Sequence, residues 1–151
     1  MENFMDSNFL LETATARKLY HDYAAQMPIL DFHCHLSPQQ IFENKPFSDV
    51  GEAWLAGDHY KWRIMRACGI DEEYITGSKS FREKFQAYAQ ALQNAIGNPL
   101  YHWSHLELQR FFDIYEPLTP ESADRIFDAA SAKLAQPEWS PRGLVERSNV
   151  M

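Results

Sequence analysis

The feature that most constrains the fold of this chain is a short alternating segment, residues 29–35, which directly follows Pro28. Its apolar and polar residues alternate, and a strand places alternate side chains on opposite faces. His33 and His35 would therefore point to the same side near the end of a short strand, where two imidazoles can bind one metal ion. The alternative is a His-rich edge strand without an ion. The apolar side chains that we expect to anchor this strand in the interior are Ile29, Leu30 and Phe32.

Helical patterns dominate the rest of the chain. Apolar residues recur every three or four positions, polar caps or Pro precede these stretches, and Gly or Pro often ends them. The predicted helices, some of them a single turn, cover residues 13–26, 38–42, 48–57, 59–68, 71–76, 80–97, 99–112, 120–135 and 141–147.

A single strand cannot satisfy its own backbone groups, so the segment 29–35 requires a neighbouring strand. The last residues, Val150 and Met151, resemble the beginning of a second strand near position 149. We therefore predict an α/β fold in which a first strand, 29–35, is followed by a helical elaboration over about 38–135, and in which this chain is the front portion of a longer protein. A complete helical domain with one extended piece is the alternative.

Composition restricts the partners and the compartment. The net charge of −7 argues against nucleic acid or an anionic membrane as the main partner. The two cysteines, Cys34 and Cys68, form no metal or disulfide motif, and we expect both to be free and buried. The acidic start has no secretory signal, and no apolar run reaches the roughly 20 residues that cross a bilayer. These features predict a cytoplasmic protein.

Two further clusters contain residues capable of chemistry. The segment 58–63, Asp-His-Tyr-Lys-Trp-Arg, starts a helix, and a helix N-terminus attracts anions. Its His59 and Tyr60 can transfer protons or polarise an oxygen. The alternative is an amphipathic surface helix with Trp62 buried and with Lys61 and Arg63 in solvent. The second cluster, His102 and His105, shares one helix face and favours interhelical hydrogen bonding over metal ligation.

Taken together, four segments resemble a known family. Residues 31–36 resemble the first-strand His-x-His motif of the amidohydrolase superfamily. Residues 58–63, 99–108 and 140–150 resemble the uronate isomerase (glucuronate isomerase) family of that superfamily, in the same order along the chain. This resemblance implies the N-terminal portion of a (β/α)8 TIM-type barrel, with a large helical elaboration after the first strand.

The resemblance also implies an activity, an aldose–ketose isomerisation in hexuronate breakdown. D-Glucuronate would be converted to D-fructuronate, and D-galacturonate to D-tagaturonate, by proton transfer between C2 and C1. By position, His33 and His35 match the ligands of a divalent metal, with zinc the expected ion. His59 and Tyr60 match the catalytic and substrate-binding His-Tyr pair. Homo-oligomerisation of the full-length protein is left open.

The resemblance also implies that part of the active site is absent from this sequence. Members of the family are more than twice as long, and a metal-binding Asp and its neighbouring Arg would lie beyond Met151. The isolated chain is therefore expected to be inactive. Two alternatives remain: a metal-dependent hydrolase of the same superfamily, which would activate a water, and a helical interaction module in which the His pair is incidental.

Overall fold

The protein is described here by a computed structural model that covers residues 5–151 and is mainly helical. No helix among these residues is long and apolar enough to cross a membrane. The α-helices of the described residues are α1 (Ala14–Asp22), α2 (Pro38–Glu43), α3 (Val50–Leu55), α4 (His59–Ala67), α5 (Phe81–Leu92), α6 (Pro99–Phe112), α7 (Ala123–Leu134) and α8 (Pro141–Arg147). Short 3-10 helices cover Ala24–Gln26, Glu72–Tyr74 and Pro137–Trp139.

Helix α5 lies at the centre of the core, in contact with α3, α4 and α7. It begins with a capping box in which Ser80 and Glu83 satisfy each other's backbone N–H groups. Its apolar face is fully buried, including Tyr88 and Leu92. The prediction that this helix continues to Ile96 is wrong, since it ends at Leu92 and Ile96 is exposed.

Local capping explains most of the other helix boundaries. Asn98 caps α6, and its side chain accepts a hydrogen bond from the backbone N–H of Leu100 at 2.9 Å. The backbone of Asn98 is extended, as is usual for the residue before a proline, and therefore α6 begins only at Pro99. Asp58 and Ser140 cap α4 and α8 in the same way, and these predicted starts are confirmed. Helix α3 begins at Val50, and its cap is Asp49, one residue after Ser48, where the predicted helix starts.

Two other predicted helices are too long. Helix α7 begins at Ala123 instead of Pro120, because Thr119 and the two residues after Pro120 form a turn in which Thr119 Oγ1 accepts the N–H of Ser122. Helix α1 ends at Asp22, and after a break at Tyr23 the chain continues as a 3-10 helix to residue 26.

The predicted strand 29–35 is present only as a single parallel bridge between Ile29 and Val150. The N–H of Ile29 donates to the carbonyl of Asn149 at 2.8 Å, and the N–H of Met151 donates to the carbonyl of Ile29 at 3.0 Å. Past Ile29 the segment runs without regular strand pairing, because no neighbouring strand lies beside it among residues 5–151. Within residues 5–151 the regular strand predicted over 29–35 is therefore not formed beyond Ile29, whereas the pairing with residues near 149 is observed.

The expected burial of this segment is also wrong within the described structure. Leu30 is 76% exposed and Phe32 is fully exposed, and Ile29 is half exposed. Cys34 is exposed as well, whereas Cys68 is half-buried and its thiol lies 3.7 Å from the carbonyl oxygen of Ala91. An extended segment cannot cover its own side chains, so these apolar groups remain at the surface of residues 5–151.

Candidate functional site

A cavity of 920 Å³ lies where the segment 31–36 faces three helices. Its other walls are the end of α3, the first turns of α4 and the start of α6. The segments meet because Trp54 and the buried face of α5 hold α3 and α4 together beneath the cavity. The cavity therefore brings together side chains that lie more than 70 positions apart in the sequence, from Asp31 to Glu107.

The two histidines of the His-x-His motif share this cavity. The ring centroids of His33 and His35 are 5.3 Å apart, and both side chains line the same wall. The prediction that the two imidazoles lie on one side is confirmed, although the backbone that carries them is not a regular strand. The geometry fits two groups that can act on one ligand.

The predicted His-Tyr pair, His59 and Tyr60, lies directly beside His35. The ring of Tyr60 is stacked on that of His35, with centroids 5.1 Å apart and planes 24° apart, and Tyr60 lines the cavity. The ring of His59 is also stacked near His35, at 5.5 Å, but His59 is exposed and does not line the cavity wall. Tyr60 is therefore better placed than His59 to reach a ligand inside.

Asp58 connects the start of α4 to Lys61 and to His35. Its Oδ1 accepts the backbone N–H groups of Tyr60 at 2.9 Å and Lys61 at 3.3 Å, and its Oδ2 accepts from Lys61 Nζ at 2.8 Å. The same Oδ2 lies 3.4 Å from Nδ1 of His35. Burial raises the pKa of this carboxyl, but the charge and hydrogen bonds of Lys61 outweigh that effect, so the pKa of Asp58 lies below its usual value.

Lys61 is buried, contrary to the alternative in which it is solvated. The residue is 6% exposed, and its ammonium lies 5.3 Å from the ring centroid of Trp54. Burial lowers the pKa of Lys61, but Glu107, Tyr88 and Asp58 together raise it above the usual value. The ammonium is charged because acidic groups surround it. Arg63 is exposed, as expected, and its guanidinium lies over the ring of Tyr60.

Glu107 is a cavity residue to which the sequence analysis gave no role. Its carboxyl lines the cavity from α6, and burial raises its pKa, against the opposing attraction of Lys61. The available signal was its position, since Glu107 directly precedes the buried Leu108 and lies three residues after the buried Ser104. A carboxylate next to a buried helix face indicates a partner or a ligand.

His105 has a structural role that both of its ring nitrogens explain. Nδ1 donates to the carbonyl of Tyr101 at 2.7 Å, and Nε2 accepts the N–H of Leu118 at 2.9 Å. Burial lowers the pKa of this imidazole, which favours the neutral form that this pattern requires. His105 therefore forms hydrogen bonds, but they are not interhelical as predicted, since Tyr101 lies on α6 itself and Leu118 lies in the segment between α6 and α7. His102 is half-buried on α6, in ring contact with Phe9 and Tyr101.

The described residues fit part of a metal site. A catalytic zinc ion usually has three protein ligands and an open position. His33 and His35 offer two nitrogen ligands to one cavity, whereas residues 5–151 contain no group of three His, Cys, Asp or Glu side chains arranged to hold an ion. This part of the chain therefore supplies at most two of the ligands.

Comparisons with known proteins give a consistent result. The sequence model of the glucuronate isomerase family matches residues 1–151. The uronate isomerases of Lachnoclostridium phytofermentans and Bacillus subtilis are each 57% identical over 150 residues, which is 99% of this chain and 32% of theirs. The crystal structure of uronate isomerase from Thermotoga maritima superposes with a TM-score of 0.90 at 40% identity, over 99% of this chain and 32% of that one.

A second solved structure, glucuronate isomerase from Caulobacter crescentus, has a TM-score of 0.83 at 27% identity and covers 99% of this chain. The helical arrangement of residues 5–151 is thus shared with both structures. The chain spans about a third of the length of the relatives that it matches.

Proposed function

Because this chain belongs to the glucuronate isomerase family, we propose that it forms one part of the active site of a cytoplasmic uronate isomerase. The reaction is the aldose–ketose isomerisation of D-glucuronate to D-fructuronate, and of D-galacturonate to D-tagaturonate. The observation that carries the proposal is the single cavity that gathers His33, His35 and Tyr60. These residues come from two separate segments that the family resemblance had singled out.

The proposed fold of the whole protein is a (β/α)8 barrel, with the segment 29–35 as its first strand. The parallel bridge between Ile29 and Val150 supports this, because neighbouring barrel strands are parallel. The exposed Leu30 and Phe32 also support it, since strands of a parallel barrel are buried on both faces and require apolar cover. Helices α2 to α7 form the elaboration after the first strand.

In this proposal Tyr60 exchanges a proton with a substrate oxygen or polarises it. Moving a proton between C2 and C1 through an enediol requires a base and a group that stabilises the developing charge on oxygen. The Tyr60 ring is stacked on His35 and lines the cavity, which places Tyr60 beside one of the two proposed metal ligands. His59 would support the ring of His35 from the cavity mouth and contact the substrate there.

His33 and His35 are proposed as two ligands of a divalent ion, with zinc the expected metal and with further ligands supplied from outside residues 5–151. When bound, such an ion would coordinate substrate oxygens and stabilise negative charge on them. The role of this chain is to present two imidazoles side by side in a cavity.

The test is an exchange of segments with a relative. The matching segment of the Bacillus subtilis uronate isomerase, 57% identical, is replaced by this chain. We expect the chimera to convert D-glucuronate into a ketose. Tyr60→Phe should lower kcat by about 10²–10⁴-fold if the phenol transfers a proton. The control is Tyr115→Phe, since Tyr115 is 72% exposed and lies outside the cavity.

Other outcomes of this experiment would favour the alternatives. Addition of water to the substrate would favour a hydrolase that uses the same His pair. Unchanged activity after replacement of His33 and His35 by Ala would favour an incidental His pair. Full activity of Tyr60→Phe, with the fold intact, would contradict the role given to Tyr60.

A further inference from the structure

We propose that Asp58 is a positioning residue for His35, and that its Oδ2 accepts a hydrogen bond from Nδ1–H of the imidazole. This bond would leave Nε2 as the unprotonated nitrogen that is available in the cavity. Asp58 Oδ2 lies 3.4 Å from Nδ1 of His35. The inference rests on the proposed function only where the free Nε2 is taken to bind a metal ion.

The position of the Asp58 carboxylate is fixed by contacts that do not involve His35. Oδ1 is held by the backbone N–H groups of Tyr60 and Lys61, and Oδ2 is held by Lys61 Nζ at 2.8 Å. Lys61 is itself immobilised by burial and by the ring of Trp54. Asp58 therefore offers His35 an acceptor whose location is set by the N-terminus of α4.

The imidazole is restricted as well. The rings of Tyr60 and His59 stack near it at 5.1 and 5.5 Å, so the orientation of the His35 ring is limited by its neighbours. With the ring held in this way, only its edge nitrogens can form hydrogen bonds. The 3.4 Å separation exceeds the 2.7–3.2 Å of a full hydrogen bond, so the segment 31–36 needs to move by only a few tenths of an ångström to form one.

The charges around His35 make Asp58 an acceptor. The Asp58 carboxylate accepts hydrogen bonds through both oxygens, from the first backbone N–H groups of α4 and from Lys61 Nζ. Lys61 is a donor directed at Asp58, and the other acidic side chains that line the cavity are those of Asp31, Glu52 and Glu107. The tautomer of a histidine is set by the hydrogen bond of its other nitrogen, and a carboxylate on Nδ1 selects Nδ1–H.

The decisive variant is Asp58→Asn, which changes the group facing His35 while retaining the cap. The Asn Oδ1 can still accept the backbone N–H groups of α4, and Asn is a good N-cap residue. Its NH2 group would replace Oδ2 and donate to Nδ1, which would move the proton of His35 to Nε2. The NH2 group cannot accept from Lys61 Nζ, so this variant also loses that hydrogen bond and some stability. In the folded variant we therefore expect a reversal of the tautomer.

The measurement is ¹⁵N NMR of the histidine-labelled protein without metal, at a pH where the imidazoles are neutral. The His35 signals are assigned with His35→Gln. The proposal expects Nδ1–H in the wild type and Nε2–H in Asp58→Asn. The matched control is Asp49→Asn, because Asp49 caps α3 through the N–H of Glu52 at 2.8 Å and does not line the cavity. This control should leave the His35 signals unchanged.

Zinc titration provides a second readout, and we expect Asp58→Asn to bind about 10–100-fold more weakly than Asp49→Asn. An Nε2–H tautomer in the wild type would overturn the proposal, and this holds even if the variant fails to fold. An unchanged tautomer in a folded Asp58→Asn would overturn it too. If the tautomer reverses but the chimera described above has no isomerase activity, the proposed function fails and the role of Asp58 stands.

Discussion

The buried hydroxyl of Tyr88 allows a quantitative prediction of how stability depends on pH. Tyr88 is fully buried on α5, and its Oη lies 2.7 Å from Ser104 Oγ on α6. Burial is the main cause that raises its pKa from 10.0 to about 12. Glu107 and Asp58 raise it further, while Lys61 and the hydrogen bond with Ser104 oppose the shift. The fold therefore favours the neutral phenol.

The sign of the pH dependence follows from this shift. Because the folded pKa of Tyr88 is above its unfolded value, the stabilisation is complete below about pH 10 and is lost as the pH rises through about 12. Two pKa units correspond to roughly 2.7 kcal/mol in all, of which about 1.4 kcal/mol is lost by pH 11.

Tyr88→Phe removes this titration. At pH 7 we expect the variant to be less stable by about 0.5–1.5 kcal/mol, because Ser104 loses its hydrogen-bond partner. Near pH 11 the two proteins should have similar stability, and at higher pH the variant should be the more stable one. The titration of lysines that do not interact with Tyr88 affects both proteins and cancels in the comparison, whereas Lys61 is coupled to Tyr88 and its titration changes with it.

The assay is urea unfolding followed by tryptophan fluorescence at pH 7, 9 and 11. Tyr115→Phe is the control, because Tyr115 is 72% exposed and its removal should shift neither the neutral nor the alkaline stability. A constant difference between wild type and Tyr88→Phe across this range would refute the reasoning.

Three further predictions concern packing and charge. Gly143→Ala should lose about 1–3 kcal/mol of stability, because an added Cβ would overlap the carbonyl oxygen of Glu138. Gly57→Ala is the control and should lose none, because the space around Gly57 is open. Urea unfolding of both variants measures the difference. Lys61→Met should lose about 3–5 kcal/mol in the same assay, since it leaves a partly buried carboxylate without its cation, and a loss below 1 kcal/mol would contradict this. Burial lowers the pKa of His105 in the fold, so its contribution to stability should be complete above about pH 6.5 and should decline on acidification. His105→Gln should lack this part of the pH dependence. Parallel curves of stability against pH for the two proteins would refute this prediction.

The parts of the fold that depend on neighbouring residues in the sequence were predictable. Asp58, Asn98 and Ser140 each precede a helix whose first N–H groups they satisfy, and such caps require no knowledge of the rest of the fold. The position of His33 and His35 on one side was predictable for a similar reason, because side chains two residues apart in an extended segment point the same way.

What required the tertiary structure could not be predicted from the sequence. The extent of strand pairing over 29–35 could not be predicted, because pairing depends on distant segments. Within residues 5–151 only Val150 pairs with this segment, through Ile29. The burial of Lys61 depends on Trp54 and Glu107, which approach it from other helices. Charge alone suggested a solvated side chain, and only the packing shows a buried cation at the cavity.

The most direct test of the central claim is the identity of the product formed from D-glucuronate by the chimera that carries this chain in the Bacillus subtilis uronate isomerase. Mass spectrometry and NMR of the purified product decide it. We expect a ketose, D-fructuronate, of unchanged mass, with formation strongly reduced by Tyr60→Phe. A product that has gained water, or a folded chimera that leaves D-glucuronate unchanged, would contradict it.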